Sequence, residues 1–312
     1  MISAAGAMHP NTFLIGAPKC GTTAIARYLA DHPQVFVPIV KEPSFWSVDF
    51  NRGSTVVKLE TLGDYLALFA GASYERVILD ASTSYIASDV ALPRILQFAP
   101  QAKFIVMLRN PVEVSHAYHM EKVFNCFEDV EDFETAWRMQ ARRSKGENLP
   151  AVCPEPKELQ YREIAAIGTQ LLRVQRIVPT EQLIVLFHED LVERPRQLWL
   201  ALEGFLGIED DGRLDFPPVG AAHFNRFPRL ARLYQNPPKA LLPLVRILKR
   251  AIVASAAEGG MGAHIKEQLI SRKKRPPLRE EFRRELEHDF AAEITLLETL
   301  TGRDLSAWKE CS

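Results

Sequence analysis

The sequence has few features of a secreted, membrane-embedded or disulfide-stabilised protein. It contains four cysteines in 312 residues, and no two of them have the paired spacing of a disulfide framework or a zinc knuckle. No stretch is apolar over the length of a membrane-spanning helix, and residues 1–11 lack the basic start and apolar run of a signal peptide. We therefore expect a soluble, cytoplasmic protein with reduced thiols.

An excess of charge of either sign is also lacking. The formal net charge is -1 at pH 7, so no overall field would hold the chain on nucleic acid, and any anion-binding site must be local. Hydrophobic residues make up 47% and charged residues 25%, as in ordinary folded enzymes. We expect no nucleic-acid partner, and we predict one folded domain over residues 12–312 after an N-terminal extension at 1–11.

Short apolar runs alternate with helical segments along the chain. The apolar runs lie at residues 12–17, 76–80, 103–108 and 182–187. Apolar residues recur with helical spacing around residues 22–31, 62–70, 92–98, 112–122 and 164–177. Because the runs lack the polar alternation of a half-exposed sheet, they predict buried parallel strands. The order predicts an α/β fold, a three-layer doubly wound parallel sheet that binds ligands at the carboxyl ends of its strands.

Two regions depart from this alternation. Residues 125–158 are polar and predict an insertion that caps the sheet. After Gly207 the strand patterns stop, and residues 241–253 and 278–300 predict extra C-terminal helices. The basic residues within 241–253 and 272–275 leave contact with an anionic membrane open, although such helices more often pack against the core.

The turn after the first apolar run has the composition of a phosphate-binding loop. It is G-A-P-K-C-G-T-T, residues 16–23. Glycines allow an anion to approach the backbone, the lysine supplies charge, and the following helix directs its N-terminal N–H groups to the same point. The predicted binding residues are Pro18, Lys19, Cys20, Gly21, Thr22 and Thr23.

This loop differs from the nucleoside-triphosphate pattern G-x-x-x-x-G-K-[ST], because Thr22 occupies the lysine position and Lys19 lies three residues earlier. A lysine at this place faces the group that leaves from a 5' position, which suits a 5'-phosphosulfate. A P-loop kinase or triphosphatase remains the alternative, favoured by the glycines and by Asp80, which ends an apolar run where such enzymes support magnesium.

A second anion-binding element follows the apolar run at residues 103–108. Arg109 comes at the end of this run, and Pro111 suits the first turn of a helix. The guanidinium fork of arginine suits a doubly charged phosphate monoester. We expect this strand to lie two sheet positions from the strand of the phosphate loop.

These motifs resemble those of the sulfotransferases that use 3'-phosphoadenosine 5'-phosphosulfate (PAPS). Residues 13–23 are similar to the family's 5'-phosphosulfate loop. The resemblance implies a P-loop-like fold with PAPS as co-substrate and PAP as product. It places Arg109 at the 3'-phosphate with a serine eight residues later, where this chain has Ala117. Ser115 is the nearest serine and the candidate replacement.

The catalytic base is predicted in K-E-P-S-F-W, residues 41–46. Sulfuryl transfer requires an acceptor hydroxyl that loses its proton as it attacks, and Glu42 is the candidate base; no metal is chemically required. Family members that act on carbohydrates carry a similar Lys-Glu-Pro element whose glutamate is the base, but often a lysine where this chain has Ala81. Lys19 is assigned to the leaving-group phosphate. Weaker candidates for substrate contact are Lys41, Trp46, Asp80 and Ser82.

The sequence therefore predicts a sulfotransferase that acts on a hydroxyl or amine of an acceptor it does not identify. Sugars, lipids and other small molecules all stay open, and no oligomeric state is predicted. A non-catalytic PAP-binding module is a further alternative, because Ala117 and Ala81 depart from the family pattern, whereas Glu42 argues against it.

Overall fold

A computed structural model of the chain describes residues 8–50, 59–151, 153, 155–219, 223–225, 270–272 and 276–309. The chain forms two compact units. The first comprises Met1–Ser115, Arg162–Gly220 and Glu280–Ser312, and the second comprises His116–Tyr161 and Ala221–Arg279. A single domain with a capping insertion at 125–158 stays a prediction.

The four apolar runs form four of the five strands described for one parallel sheet in the first unit. The strands are β1 (Thr12–Gly16), β2 (Val35–Phe36), β3 (Val77–Ala81), β4 (Lys103–Leu108) and β5 (Leu183–Phe187). Their order across the sheet is β2-β3-β1-β4-β5. Every residue of β1 and β3 is buried, as expected for strands covered on both faces. The predicted doubly wound α/β fold is confirmed.

The strand of the phosphate loop and the strand of Arg109 are direct neighbours, so the prediction that they lie two positions apart is wrong. β1 pairs with β4 through Thr12 with Lys103 and Phe13 with Phe104. The chain passes from β3 across β1 to reach β4, which apolar patterns alone do not specify. The connections after β1 and after β4 run in opposite directions along the sheet. A ligand crevice is expected where they diverge, outside the carboxyl ends of these two strands.

Helices follow the strands in the predicted order. They are α1 (Thr22–Ala30), α2 (Leu62–Ala67), α3 (Ala91–Phe98), α4 (Pro111–Phe124), α5 (Phe133–Arg143), α6 (Tyr161–Ile164), α7 (Ile167–Ile177), α8 (His188–Glu193), α9 (Pro195–Leu206) and α10 (Glu280–Thr301). Short 3-10 helices span Pro156–Leu159, Thr180–Gln182 and Ser306–Trp308. The single helix predicted at 164–177 is divided between α6 and α7. None of the described helices is long and apolar enough to cross a membrane.

The predicted C-terminal helix, α10, packs against the first turn of α7. A Cβ added to Gly168 would lie 2.6 Å from the backbone oxygen of Glu293, so only glycine allows this approach. The Glu293 carboxylate accepts hydrogen bonds from the Thr169 amide at 2.8 Å and the Thr169 hydroxyl at 2.6 Å. The carboxylate thereby satisfies one of the amide groups that a helix start leaves without an intrahelical partner.

The second unit contains α5 and a two-stranded antiparallel sheet of β6 (His223–Asn225) and β7 (Ile270–Arg272). The prediction that strands stop after Gly207 is therefore wrong, because three-residue strands are too short to show a periodic pattern. Residues 241–253 lie outside the described residues, as do 273–275. The expectation that these segments pack against the core, with membrane contact left open, stays a prediction.

Candidate active site

The phosphate loop connects β1 to α1 and leaves the start of α1 open toward the ligand edge of the sheet. Gly21 is the N-cap residue, with a φ of 93°, and no side chain caps the first amides. A Cβ on Gly21 would lie 3.0 Å from Leu191 Cδ2 in addition to the strain of that dihedral. Uncapped amides at a helix start are suitable donors to an anion. The backbone therefore fits the phosphate group that the sequence predicts.

The loop side chains differ in how exposed they are. Lys19, which has a left-handed φ of 63°, and Pro18 are half-buried. Cys20 is fully buried, and its Sγ lies 3.5 Å from the Pro18 carbonyl oxygen. Burial raises the pKa of Cys20 well above its ordinary value, although Arg109 and Lys19 act to lower it. The Cys20 side chain is therefore a neutral packing group, and a contact from residue 20 to a ligand would come from its backbone.

Arg109 lies directly against the phosphate loop. Its Nη1 donates to the Lys19 carbonyl oxygen at 3.2 Å, and Nη2 lies 3.8 Å from Glu113 Oε2. Glu113 is also paired with Arg283 of α10 at 2.6 Å. The longer Arg109 contact is a weak one at its partly exposed position, so a phosphate could replace it at small cost. The phosphate loop after β1 and Arg109 after β4, both predicted from the sequence, thus lie together.

Glu189 and Ser115 are two further polar groups of this region. Burial raises the pKa of Glu189, while Arg109 and Arg303 act to lower it. Ser115 is fully buried, and its hydroxyl donates to the Val112 carbonyl of its own helix at 2.9 Å. This placement does not support Ser115 as a phosphate ligand, and its role stays a prediction.

The segment that carries Glu42 lies beside the phosphate loop. Lys41 Nζ donates to the hydroxyl of Thr23 in the first turn of α1 at 2.9 Å, and lies 3.5 Å from Glu42 Oε1. The hydroxyl of Thr83, just after β3, donates to Glu42 Oε2 at 3.3 Å. The Glu42 side chain is 32% exposed, so its carboxylate is fixed by neighbours and still reachable by an acceptor.

The other predicted substrate contacts are buried. Asp80 and Ser82 have no exposed surface, and Trp46 is 7% exposed and packs against Tyr65 and Phe98. Burial raises the pKa of Asp80 to about 6, against hydrogen bonds from Ser82 and two tyrosines that lower it. Of these four candidates only Lys41 is exposed. Contact of the others with substrate stays a prediction without support from their placement.

Sequence reasoning missed two residues at the site, Thr83 and Ser44. Thr83 contacts the Glu42 carboxylate, and the Ser44 hydroxyl donates to the Glu42 carbonyl oxygen at 3.1 Å. The available signal for Thr83 was its place just after a buried strand, at the edge where ligands are expected. For Ser44 there was no signal, because its role depends on the loop's backbone conformation.

A second cluster of potential ligands lies elsewhere in the first unit. Atoms of His32, Glu203 and Asp211 lie within 4.8 Å of one another. However, His32 Nδ1 accepts from the Gln34 amide at 3.0 Å, so the neutral ring carries its proton on Nε2, 2.9 Å from the Glu209 carbonyl oxygen. Both ring nitrogens are therefore used, and none offers a lone pair to a metal. We interpret the cluster as structural.

Comparisons with known proteins point to one family. A family model described as a sulfotransferase domain matches residues 9–216. The chain is 25% identical over 202 residues to the bifunctional heparan sulfate N-deacetylase/N-sulfotransferase 2 of Bos taurus, a match that covers 64% of this chain and 22% of that protein. It is 30% identical over 146 residues to carbohydrate sulfotransferase 15 of Rattus norvegicus, covering 33% of this chain and 26% of that protein. The matched segments thus span about a quarter of these relatives.

A solved structure supports the fold over nearly the whole chain. The crystal structure of a sulfotransferase from Alicyclobacillus acidocaldarius superposes with a TM-score of 0.70 at 24% sequence identity. The superposition covers 97% of this chain and 100% of the other. At this identity the likeness concerns the fold alone.

Proposed function

Because the chain belongs to the sulfotransferase domain family, we propose that it transfers a sulfuryl group from PAPS to a hydroxyl or amine of an acceptor. The observation that carries this proposal is the 2.9 Å hydrogen bond from Lys41 Nζ to the Thr23 hydroxyl. It fixes the segment of Glu42 beside the uncapped start of α1. A carboxylate base and an anion site are thereby adjacent, as sulfuryl transfer requires.

Donor binding follows from the two anion-binding elements. The amides at the start of α1, with the Thr22 and Thr23 hydroxyls, would hold the 5'-phosphosulfate. Arg109 would hold the 3'-phosphate by exchanging its 3.8 Å contact with Glu113 for a charge-assisted pair. Lys19 would lie beside the 5'-phosphate, where negative charge develops as the sulfuryl group leaves.

The proposed reaction is one in-line displacement. The acceptor oxygen or nitrogen forms a bond to sulfur while the bond from sulfur to the bridging phosphate oxygen breaks, and that oxygen keeps the electron pair in PAP. The acceptor proton passes to the Glu42 carboxylate, which Thr83 orients through its hydrogen bond to Oε2. Lys19 offsets the charge on the departing phosphate. The chemistry described needs no metal.

For the acceptor, we propose a carbohydrate as the first class to screen, with lipids and other small molecules next. Two similar proteins are named for heparan sulfate and for carbohydrate, and Lys41, which is 55% exposed beside Glu42, would suit an anionic sugar. We also propose that the protein acts in the cytoplasm, as expected from the sequence.

The proposal is tested with PAPS carrying a labelled sulfuryl group and a mixed acceptor library. Glu42→Gln should lower the turnover number about 100-fold or more, since general-base catalysis contributes about that much. It should leave PAP affinity unchanged. Glu181→Gln, at an exposed position in the 3-10 helix Thr180–Gln182, is the matched control and should behave as wild type. Full transfer by the Glu42→Gln protein would contradict the assignment of the base.

Ligand-induced stabilisation separates the donor from the alternatives. PAP at a hundred times its dissociation constant should add about 2.7 kcal/mol to the free energy of unfolding. Stabilisation by ATP with magnesium but not by PAP would indicate a kinase or triphosphatase. Stabilisation by PAP with no transfer to any acceptor would indicate a binding module.

A further inference from the structure

The loop that carries Glu42 has a backbone conformation that the residues themselves do not favour. Glu42 has a φ of 53° and Ser44 a φ of 54°, both in the left-handed region. For residues other than glycine this region costs on the order of 1 kcal/mol each and persists only where neighbouring groups hold it. The groups that hold this loop therefore determine where the Glu42 carboxylate lies.

One of these groups is the Ser82 hydroxyl. The Ser44 amide donates to Ser82 Oγ at 2.9 Å, and this contact is buried. Ser82 Oγ in turn donates to Asp80 Oδ1 at 2.6 Å. A hydroxyl has one proton, so the bond to Asp80 uses it and turns the oxygen lone pairs toward the Ser44 amide. The direction of the first bond thus depends on Asp80 being an acceptor.

Asp80 has the surroundings of a buried carboxylate that acts only as an acceptor. Its Oδ2 accepts from the hydroxyls of Tyr65 and Tyr85, each at 2.8 Å, and its Oδ1 accepts from Ser82. The residue has no exposed surface and cannot itself contact an acceptor. Tyr65 comes from α2, Tyr85 follows β3, and Glu42 is the further charged group that faces it.

We propose that Asp80 is a positioning residue that acts through the Ser82 hydroxyl to hold the Glu42 loop in its active conformation. The inference rests on the proposed role of Glu42 as the base. Asp80 fixes the proton of Ser82, Ser82 fixes the Ser44 amide, and the Ser44 hydroxyl holds the Glu42 carbonyl oxygen at 3.1 Å. Protonation of Asp80 would turn one of its oxygens into a hydrogen-bond donor. The Ser82 hydroxyl would then no longer be held with its proton toward Asp80 and its lone pairs toward the Ser44 amide.

The first test removes, one at a time, the two side chains that form the proposed relay to the Glu42 loop, Asp80 and Ser82. Asp80→Asn and Ser82→Ala should each lower the turnover number about tenfold or more, because a small displacement of a catalytic group has effects of this size. The dissociation constant for PAP should stay unchanged, since neither residue touches the donor site. Thr12→Val is the matched control. Its hydroxyl is also buried, at the start of β1, but it donates to Asn11 Oδ1 at 3.0 Å, and the variant should keep the wild-type turnover.

The second test uses the pH profile of turnover at saturating PAPS and acceptor. This profile would not shift if Asp80 had only a packing role. In the wild type, turnover should fall below a pH of about 6, where Asp80 takes up a proton. Tyr85→Phe removes a hydrogen bond that lowers the pKa of Asp80, so the fall should occur at higher pH. Phenylalanine keeps the ring that fills this buried site, so the variant tests the hydrogen bond rather than the packing.

The outcomes separate this inference from the proposed function. If Glu42→Gln keeps full transfer, the proposed base is wrong and the relay has no role in catalysis. If Glu42→Gln is impaired while folded Asp80→Asn and Ser82→Ala turn over like wild type, the positioning role alone is wrong. An acid limb that is identical in wild type and Tyr85→Phe would also overturn it. A shifted limb with unchanged PAP affinity supports it.

Discussion

Arg109 donates a hydrogen bond from Nη1 to the carbonyl oxygen of Lys19 at 3.2 Å, which joins the residue after β4 to the loop after β1. The contact is possible because β1 and β4 are direct neighbours in the sheet. It places the guanidinium beside the backbone of Lys19, whose φ of 63° is left-handed. We propose that these two residues bind the 3'-phosphate and the 5'-phosphate of one adenylate.

Arg109→Lys should weaken PAP binding by at least about tenfold, measured by calorimetry at fixed ionic strength. Lysine keeps the charge but loses the planar fork that pairs with a phosphate at two points, and hydrogen bonds to charged groups contribute about 1.5–3 kcal/mol. Arg94→Lys, at an exposed position on α3, serves as the control. Unchanged PAP affinity in Arg109→Lys would remove this residue from the donor site.

Lys19→Ala should lower the turnover number about 100-fold, because groups that stabilise developing charge typically contribute factors of about 100 to 1,000. The effect on PAP affinity should be much smaller, since the charge on the bridging oxygen exists mainly in the transition state. Formation of PAP in a single turnover measures the chemical step directly. Lys145→Ala removes an exposed lysine of the second unit and controls for net charge. Near-normal turnover of Lys19→Ala would exclude the assigned role.

The sequence was informative where local chemistry determines structure, and less so where packing does. β4 begins and ends where its apolar run does, and the G-A-P-K-C-G-T-T segment forms the expected strand-to-helix loop. The neighbour relation of β1 and β4 was predicted wrongly because strand order depends on crossover connections. The sequence also did not distinguish the possible roles of Asp80, because a strand-end aspartate has the same sequence pattern whether it faces a ligand or an internal hydroxyl.

Arg143→Met should destabilise the second unit by about 3–5 kcal/mol, because it leaves a buried carboxylate without its partner. Arg143 and Glu128 have no exposed side-chain surface and are joined by two hydrogen bonds, one of them 2.7 Å long. Although burial acts to raise it, hydrogen bonds from Arg143 and Tyr161 keep the pKa of Glu128 below its ordinary value. Adding Glu128→Gln to the variant should recover part of the loss in urea unfolding. A single variant as stable as wild type would contradict this account.

Asp80→Asn should change how stability depends on pH, because the native carboxyl holds its proton more tightly than the unfolded one. Burial raises the pKa of Asp80 from 3.8 to about 6. Between these values the unfolded chain ionises first, so this residue lowers the free energy of unfolding as pH rises, and above about 6 the effect is constant. Two pKa units correspond to about 3 kcal/mol. The stability of Asp80→Asn relative to wild type should therefore increase by about 2 kcal/mol of this from pH 4 to pH 6, measured by urea unfolding. A difference that stays flat over this interval would show that Asp80 is ionised throughout, and turnover would then not depend on its protonation.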